Sequence, residues 1–182
     1  MKAYLIVLTS ILLLYSCNTV RDEVMHVNDL DPDEEGYYRV QTDHFLFRYK
    51  TIEGEELDCI LQGNTNGWVS VGFNPTIMMR DANIIIGYVE DGVGYIEDHF
   101  GTGHVTHEAD VELGGTDDVT LIDASQENGV TTLHFRIPLD SGDPYDTVLE
   151  IDSTYPVIFA SGDQNDFVSY HAEIAQAVIL IR

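Results

Sequence analysis

Basic residues are scarce in this chain. Its 182 residues include 8 lysines and arginines against 32 aspartates and glutamates, giving a formal net charge of −24 at pH 7. Nucleic acids and anionic lipid headgroups are both bound through basic surfaces. A surface this acidic repels both of them, so nucleic acid is excluded as a partner and so is direct binding to anionic headgroups.

The apolar run at the N-terminus, residues 3–14, is too short for a permanent membrane span. It follows the single charge of Lys2 and ends in Leu-Tyr-Ser before Cys17. A short basic start, an apolar core and a small residue before a cysteine are typical of bacterial lipoprotein signals. We predict a signal peptide over residues 1–16 and a lipidated Cys17 that anchors the protein at the extracytoplasmic face of the cell envelope. The alternative is an ordinary signal peptide with an incidental cysteine.

Cysteine is as scarce as basic charge, since the chain has only 2. If Cys17 carries lipid, Cys59 has no partner, and a disulfide framework is excluded. Cys59 lies in an apolar strand pattern over residues 57–61, and we expect a small buried hydrophobe there.

No part of the chain shows sustained helical periodicity, and turn signals recur about every 8–12 residues. Residues 17–36 are acidic and poor in apolar side chains, which predicts a solvated tether before a single domain over residues 37–182. Aromatic and β-branched runs in that domain predict an all-β antiparallel sandwich or barrel. The predicted strands cover residues 44–52, 56–61, 68–73, 83–89, 95–100, 119–122, 131–137, 156–160 and 174–181.

Common catalytic motifs are missing. The chain has no Gly-x-Ser-x-Gly, no phosphate-binding glycine loop and no His-Glu-x-x-His. Pairs of carboxylates suited to glycoside hydrolysis are expected by chance among 32 acidic residues. We therefore expect no enzymatic activity.

The order of several motifs resembles the DOMON domain, a family found in dopamine β-monooxygenase and in extracellular b-type cytochromes. The resemblance spans roughly residues 40–182 and implies an immunoglobulin-like β-sandwich. It rests on residues 67–75, 82–87, 95–98, 128–138, 142–146, 156–160 and 170–171.

The haem-binding members of this family imply two axial ligands. Met79, four residues before Asn83, matches the family's methionine, Met78 is the alternate, and His171 matches the histidine. The resemblance implies non-covalent haem b, because the chain has no Cys-x-x-Cys-His. Met/His ligation leaves no open iron site, which implies electron transfer to a redox partner protein. The expected pocket residues are Trp68, Phe73, Arg80 and Phe159, with Arg80 pairing with a propionate.

A haem-free module that binds a sugar or a protein partner is the competing hypothesis, because a sandwich fold alone does not decide function. For that role, exposed aromatic side chains on one sheet face would form a stacking platform, and four tyrosines are the candidates for it. These residues are Tyr37, Tyr38, Tyr95 and Tyr145.

Two metal hypotheses remain. The family resemblance implies a structural cation, Ca²⁺ or Na⁺, at Asn83 and Asp110, because such ions take oxygen ligands. His99, His104 and His107 also lie close in sequence, but their spacing matches no defined zinc signature. We expect these three histidines to lie in an exposed loop.

Overall fold

A computed structural model describes residues 26–27 and 31–182 of the protein. The predicted signal peptide and Cys17 lie outside these residues. No helix among the described residues is both long and apolar enough to cross a membrane. In chain order, the elements are β1 (His26–Val27), β2 (Tyr38–Gln41), β3 (Phe45–Ile52), β4 (Glu56–Gly63), β5 (Val69–Phe73), β6 (Asn83–Glu90), β7 (Val93–Phe100), β8 (Glu108–Ala109), α1 (Asp110–Leu113), β9 (Thr120–Glu127), β10 (Val130–Pro138), β11 (Thr154–Ser161) and β12 (Glu173–Leu180).

The strands form two sheets. The seven-stranded sheet has the order β1-β12-β11-β5-β6-β7-β8, and the five-stranded sheet has the order β2-β3-β4-β10-β9. Strand β1 pairs with β12 in parallel, and the other pairs are antiparallel. The predicted all-β antiparallel sandwich is therefore confirmed, and each of the nine predicted strands overlaps an observed one.

The main core lies between the two sheets and follows the two-residue period of the strands. In β3, Phe45, Phe47 and Tyr49 point inward and are buried. Cys59 is buried and unpaired in the same core, as predicted. Burial raises the pKa of its thiol well above the ordinary value, so Cys59 acts as a hydrophobe.

Hairpin turns set the register of the strands. Asp91 and Gly92 have φ values of 51° and 78°, and Asn128 and Gly129 have 54° and 79°. Positive φ at both central residues defines the type I′ turn, which matches the twist of paired strands. Asp-Gly and Asn-Gly are sequence signals for such a turn, and here they join β6 to β7 and β9 to β10.

The segment before β2 is fixed to the surface of the five-stranded sheet. Residues 31–36 are exposed, as expected of a solvated tether, but Arg48 pairs with Asp33 at 2.6 Å and with Glu35 at 2.7 Å. The Tyr37 hydroxyl donates to Asp58 at 2.5 Å. The last part of the predicted tether is therefore held against the domain.

Asp58 is the centre of this attachment. It is 2% exposed, and it also accepts hydrogen bonds from Arg136 at 2.8 Å and from His134 at 3.1 Å. Burial alone would raise the pKa of Asp58, but the hydrogen bonds from Tyr37, Arg136 and His134 outweigh burial and hold that pKa below its usual range. The stability that Asp58 contributes is therefore present above the unfolded pKa of about 3.9 and is lost as the pH falls below it.

Replacing Asp58 with asparagine removes the charge that these three donors share. We expect Asp58→Asn to lower the free energy of unfolding by about 2–4 kcal/mol, because a buried neutral amide offers Tyr37, His134 and Arg136 one acceptor oxygen where the carboxylate offers two charged ones. Urea denaturation at pH 7 measures the change. Asp123→Asn, at an exposed position opposite His134, is the control and should change stability by less than about 0.5 kcal/mol. Equal losses of stability in Asp58→Asn and Asp123→Asn would contradict the assignment of Asp58 as the centre of this attachment.

Candidate functional site

A second apolar cluster lies on the outer face of the seven-stranded sheet, the face turned away from the main core. Along β6, Ile85 points into the core, whereas Ile84 and Ile86 point outward. With Trp68 and Ala82 they form the outer cluster, which is buried. An apolar outer face on a sheet whose other face already packs on a core needs a cover of its own.

Met79 packs against the outer cluster from the loop between β5 and β6. Backbone hydrogen bonds fold this loop tightly: Ala82 N–H donates to the Met79 carbonyl at 3.1 Å, and Met79 N–H donates to the His104 carbonyl at 3.3 Å. Gly101 lies so close that a Cβ there would clash with the Met79 carbonyl. The loop therefore presents the Met79 thioether to the outer cluster in a defined direction.

The neighbours of Met79 point elsewhere. Met78 has a φ of 57° and is 58% exposed, and Arg80 is exposed. Of the two candidate methionines, only Met79 packs on the outer cluster. Neither Met78 nor Arg80 contributes to that packing.

The loop between β11 and β12, residues 162–172, covers the outer cluster and carries His171. The Trp68 indole donates to Ser169 Oγ at 2.9 Å, and the Phe167 ring lies 4.9 Å from the Tyr88 ring. Asp166 shapes the loop by accepting hydrogen bonds from the backbone N–H groups of Val168 and Ser169, which hold its pKa below the usual range. His171 follows on this loop with an exposed side chain.

Two predicted pocket residues lie elsewhere. Phe73 and Phe159 belong to the main core, where both rings contact Phe47. Their strands alternate, so their side chains point to the inner face while Ile158 and Ala160 point to the outer one. Trp68 is the predicted pocket residue that the structure brings together with Met79. The sequence pattern missed Ile84, Ile86 and Ile158, although the continuous apolar run of β6 was the signal that both its faces are covered.

The four tyrosines of the predicted stacking platform do not share a face. Tyr37 is buried on the five-stranded sheet, and Tyr38 packs against the main core. Tyr145 donates to the Leu113 carbonyl at 3.0 Å, whereas Tyr95 stacks on Tyr88 at 5.0 Å on the other sheet. The platform prediction is therefore wrong.

A cluster of carboxylates lies on the inner side of β7. Asp98, Asp110 and Asp146 each place an oxygen within 4.8 Å of the others. Asp98 is 2% exposed and Asp110 is fully buried, yet none of their carboxylate oxygens has a hydrogen-bond partner among the described residues. Asn83 donates to Asp146 at 2.6 Å and leaves its own carbonyl oxygen unpartnered. Five buried oxygens without donors, four of them on two of the three clustered aspartates, form an arrangement suited to a cation.

Burial and the closeness of the carboxylates also shift the pKa values of these groups. Burial, reinforced by Asp146 and Asp110, raises the pKa of Asp98 to about 9. Burial and the nearby carboxylates raise the pKa of Asp110 to about 7 and also raise that of Asp146. The sequence predicted Asn83 and Asp110 here but missed Asp98 and Asp146. Asp98 was detectable, since strand alternation places it on the core side with Ile96.

Comparison with known proteins identifies the family to which this domain belongs. The family model described as "DOMON domain" matches residues 41–162. The chain belongs to the DOMON domain family. Relatives include DBH-like monooxygenase protein 1 of Mus musculus, 34% identical over 108 residues, which are 59% of this chain and 17% of that protein. The putative DBH-like monooxygenase protein 2 of Homo sapiens is 28% identical over 123 residues, 67% of this chain and 23% of that protein. This DOMON chain thus spans about a fifth of the length of these relatives.

Two solved structures share the DOMON fold. The cytochrome domain of Myriococcum thermophilum cellobiose dehydrogenase has a TM-score of 0.61 at 13% identity, covering 85% of this chain and 88% of that one. The cytochrome b domain of pyranose dehydrogenase from Coprinopsis cinerea has a TM-score of 0.57 at 16% identity, covering 79% and 82%. At these identities the similarity establishes a common sandwich fold.

Proposed function

We propose that the domain is a b-type cytochrome module that carries electrons through non-covalently bound haem, with Met79 and His171 as axial ligands. The observation that carries the proposal is the buried apolar cluster on the outer face of the seven-stranded sheet. Met79 packs on that cluster, and the loop that bears His171 covers it. The fold shared with two cytochrome domains supports the same assignment.

The residues present fit haem in their chemistry. Ile84, Ile86 and Trp68 offer an apolar surface for a macrocycle, and a thioether and an imidazole are both good iron ligands. Phe167 covers part of this surface and is held there by ring contacts to Tyr88 and His99. Its ring must move for a planar macrocycle to reach the isoleucines.

The two proposed ligands determine the function of the bound haem. Bound haem supplies a one-electron couple, and Met/His ligation raises its reduction potential relative to ligation by two nitrogens. If Met79 and His171 both held the iron, no coordination position would remain for oxygen or substrate, and the module would transfer electrons without catalysing a reaction. Its partner is then a redox protein or domain. A lipid on Cys17 would keep the module at the extracytoplasmic face of the envelope.

Haem titration of the purified protein tests this function. We expect one haem per chain, a six-coordinate low-spin Soret spectrum and a sharpened α band after reduction with dithionite. Far-ultraviolet circular dichroism of the same sample shows that the protein is folded. A folded protein without Soret binding would overturn the proposal and favour the haem-free alternative, a module that binds a sugar or a protein partner.

We also propose that Asp98, Asp110, Asp146 and the Asn83 carbonyl oxygen hold a structural cation. The buried, unpartnered oxygens of Asp98, Asp110 and Asn83, together with the nearby carboxylate of Asp146, carry this second proposal. Ca²⁺ fits better than Na⁺, because three carboxylates need more than one positive charge for compensation. The ion would tie β7 to α1 and to the segment after β10, where Asp146 lies.

A further inference from the structure

Two histidines meet at the edge of the seven-stranded sheet. His99 lies in β7 and is 5% exposed, and Ala109 of β8 is its register partner. His107, two residues before Ala109, is half-buried beside it. The expectation of an exposed histidine loop is thus wrong for His99, whereas His104 is exposed.

The contacts of the two rings define their roles. His99 Nε2 lies 2.9 Å from a carboxylate oxygen of Glu97, and His99 Nδ1 lies 2.9 Å from His107 Nδ1. A carboxylate accepts only, so His99 carries its proton on Nε2 and directs an Nδ1 lone pair at His107. Carboxylates orient metal-binding imidazoles in this way in many metalloproteins.

We propose that His99 and His107 bind a late first-row divalent transition-metal ion, Zn²⁺ or Cu²⁺, through their Nδ1 atoms, with Glu97 orienting His99. The ion replaces the single proton between the two rings. The N–H bond at His107 Nδ1 breaks and an N–H bond forms at His107 Nε2 by exchange with solvent, so the ring stays neutral. Two nitrogen–metal bonds then form without any redox change. Water completes the coordination shell on the open side of His107.

The geometry is close to what such an ion requires. Tetrahedral coordination with bonds of about 2.0–2.1 Å needs a nitrogen–nitrogen separation of about 3.3 Å. The observed 2.9 Å therefore has to widen by roughly 0.4 Å. His107 supplies that movement, because it lies at the end of the 101–107 connection and is half-buried.

Ligand type separates this site from the carboxylate cluster. Asp98 and His99 are adjacent in β7 and point to opposite faces of the sheet. Oxygen ligands on the inner face suit a hard cation, and imidazole nitrogens on the outer face suit Zn²⁺ or Cu²⁺. The two sites can therefore be loaded separately.

The test is a Cu²⁺ titration of the haem-free protein in excess Ca²⁺, with glycine as a competitor for weak surface sites. We expect one Cu²⁺ per chain with two nitrogen couplings in the electron paramagnetic resonance spectrum. His107→Ala should weaken binding at least tenfold and leave one nitrogen coupling. Glu97→Gln should weaken it by about tenfold through loss of orientation.

His104→Ala is the matched control, since His104 is exposed on the same loop, and its affinity should stay within twofold of the wild type. His107→Gln keeps a hydrogen-bonding partner for His99 and replaces His107→Ala if the alanine variant does not fold. The proposal would be overturned if the His104 and His107 substitutions weakened Cu²⁺ binding equally, or if both His107 variants bound Cu²⁺ as tightly as the wild type. The absence of a 1:1 complex in the wild type would overturn it as well.

Discussion

His171→Ala should remove the low-spin spectrum of the haem-loaded protein and weaken haem binding by about 100-fold, or about 2.7 kcal/mol. Met79→Ala should instead leave haem bound, convert the iron to a high-spin form and lower the midpoint potential, because the thioether is the ligand that raises it. The two variants are expected to differ because haem binding depends on His171, whereas the Met79 thioether raises the reduction potential. Visible spectra and a potentiometric titration measure both effects.

Each ligand variant has a matched control in this chain. Met78→Ala changes the same residue type one position away, where the side chain is 58% exposed and off the outer cluster. His104→Ala changes an exposed histidine of the loop whose backbone contacts Met79. Both controls should keep the wild-type spectrum. If Met78→Ala loses the low-spin spectrum and Met79→Ala keeps it, the ligand assignment moves to Met78. A low-spin spectrum in all four variants would refute both proposed ligands.

Ca²⁺ should stabilise the EDTA-treated protein by about 2.7 kcal/mol when the ion is at 100 times its dissociation constant. For a chain of this size, that gain raises the melting temperature by about 5–10 °C. The physical reason is that the ion compensates three clustered carboxylates, and two of them, Asp98 and Asp110, have no hydrogen-bond donor among the described residues. Thermal unfolding in EDTA and in Ca²⁺ measures the difference.

The dependence on pH has a definite sign. In EDTA, Asp98 and Asp110 have folded pKa values of about 9 and about 7. In the unfolded chain both pKa values are about 3.9. The folded state therefore binds more protons across this range, and the free energy of unfolding falls as the pH rises from about 4 towards 9. The gain from Ca²⁺ should accordingly be larger at pH 8 than at pH 5.

Asp98→Asn separates this explanation from a general effect of salt. In EDTA at pH 8 the variant should be more stable than the wild type, because folding of the wild type has to keep Asp98 protonated far above its unfolded pKa, whereas asparagine is neutral at every pH. The variant should also lose the response to Ca²⁺. Glu112→Gln in α1 is the control, since Glu112 is exposed beside Asp110, and it should keep the full response. A wild type whose melting temperature ignores Ca²⁺ at pH 8 would rule out the site.

Local patterns in the sequence determined most of the fold. Alternating aromatic residues in β3, alternating apolar residues in β10 and the continuous apolar run of β6 are local signals, and a predicted strand overlaps each of these elements. Asp91–Gly92 and Asn128–Gly129 are local turn signals as well, and both are found in hairpin turns. Short elements such as β2 and α1 were missed because four residues carry too little periodicity to identify. The DOMON resemblance is likewise a matter of local motifs in order, and the family match confirms it.

The tertiary structure alone decided which residues share a site. It separated Phe73 and Phe159 from Trp68, because sheet alternation sends neighbouring residues to opposite faces, and here each face has its own cluster. It brought Asp98 and Asp146 to Asp110, and His99 to His107, through pairings between distant strands and loops. Sequence patterns determine which side of a strand a residue faces. The choice of neighbour across the sheet depends on strand order, which is decided only when the whole chain packs.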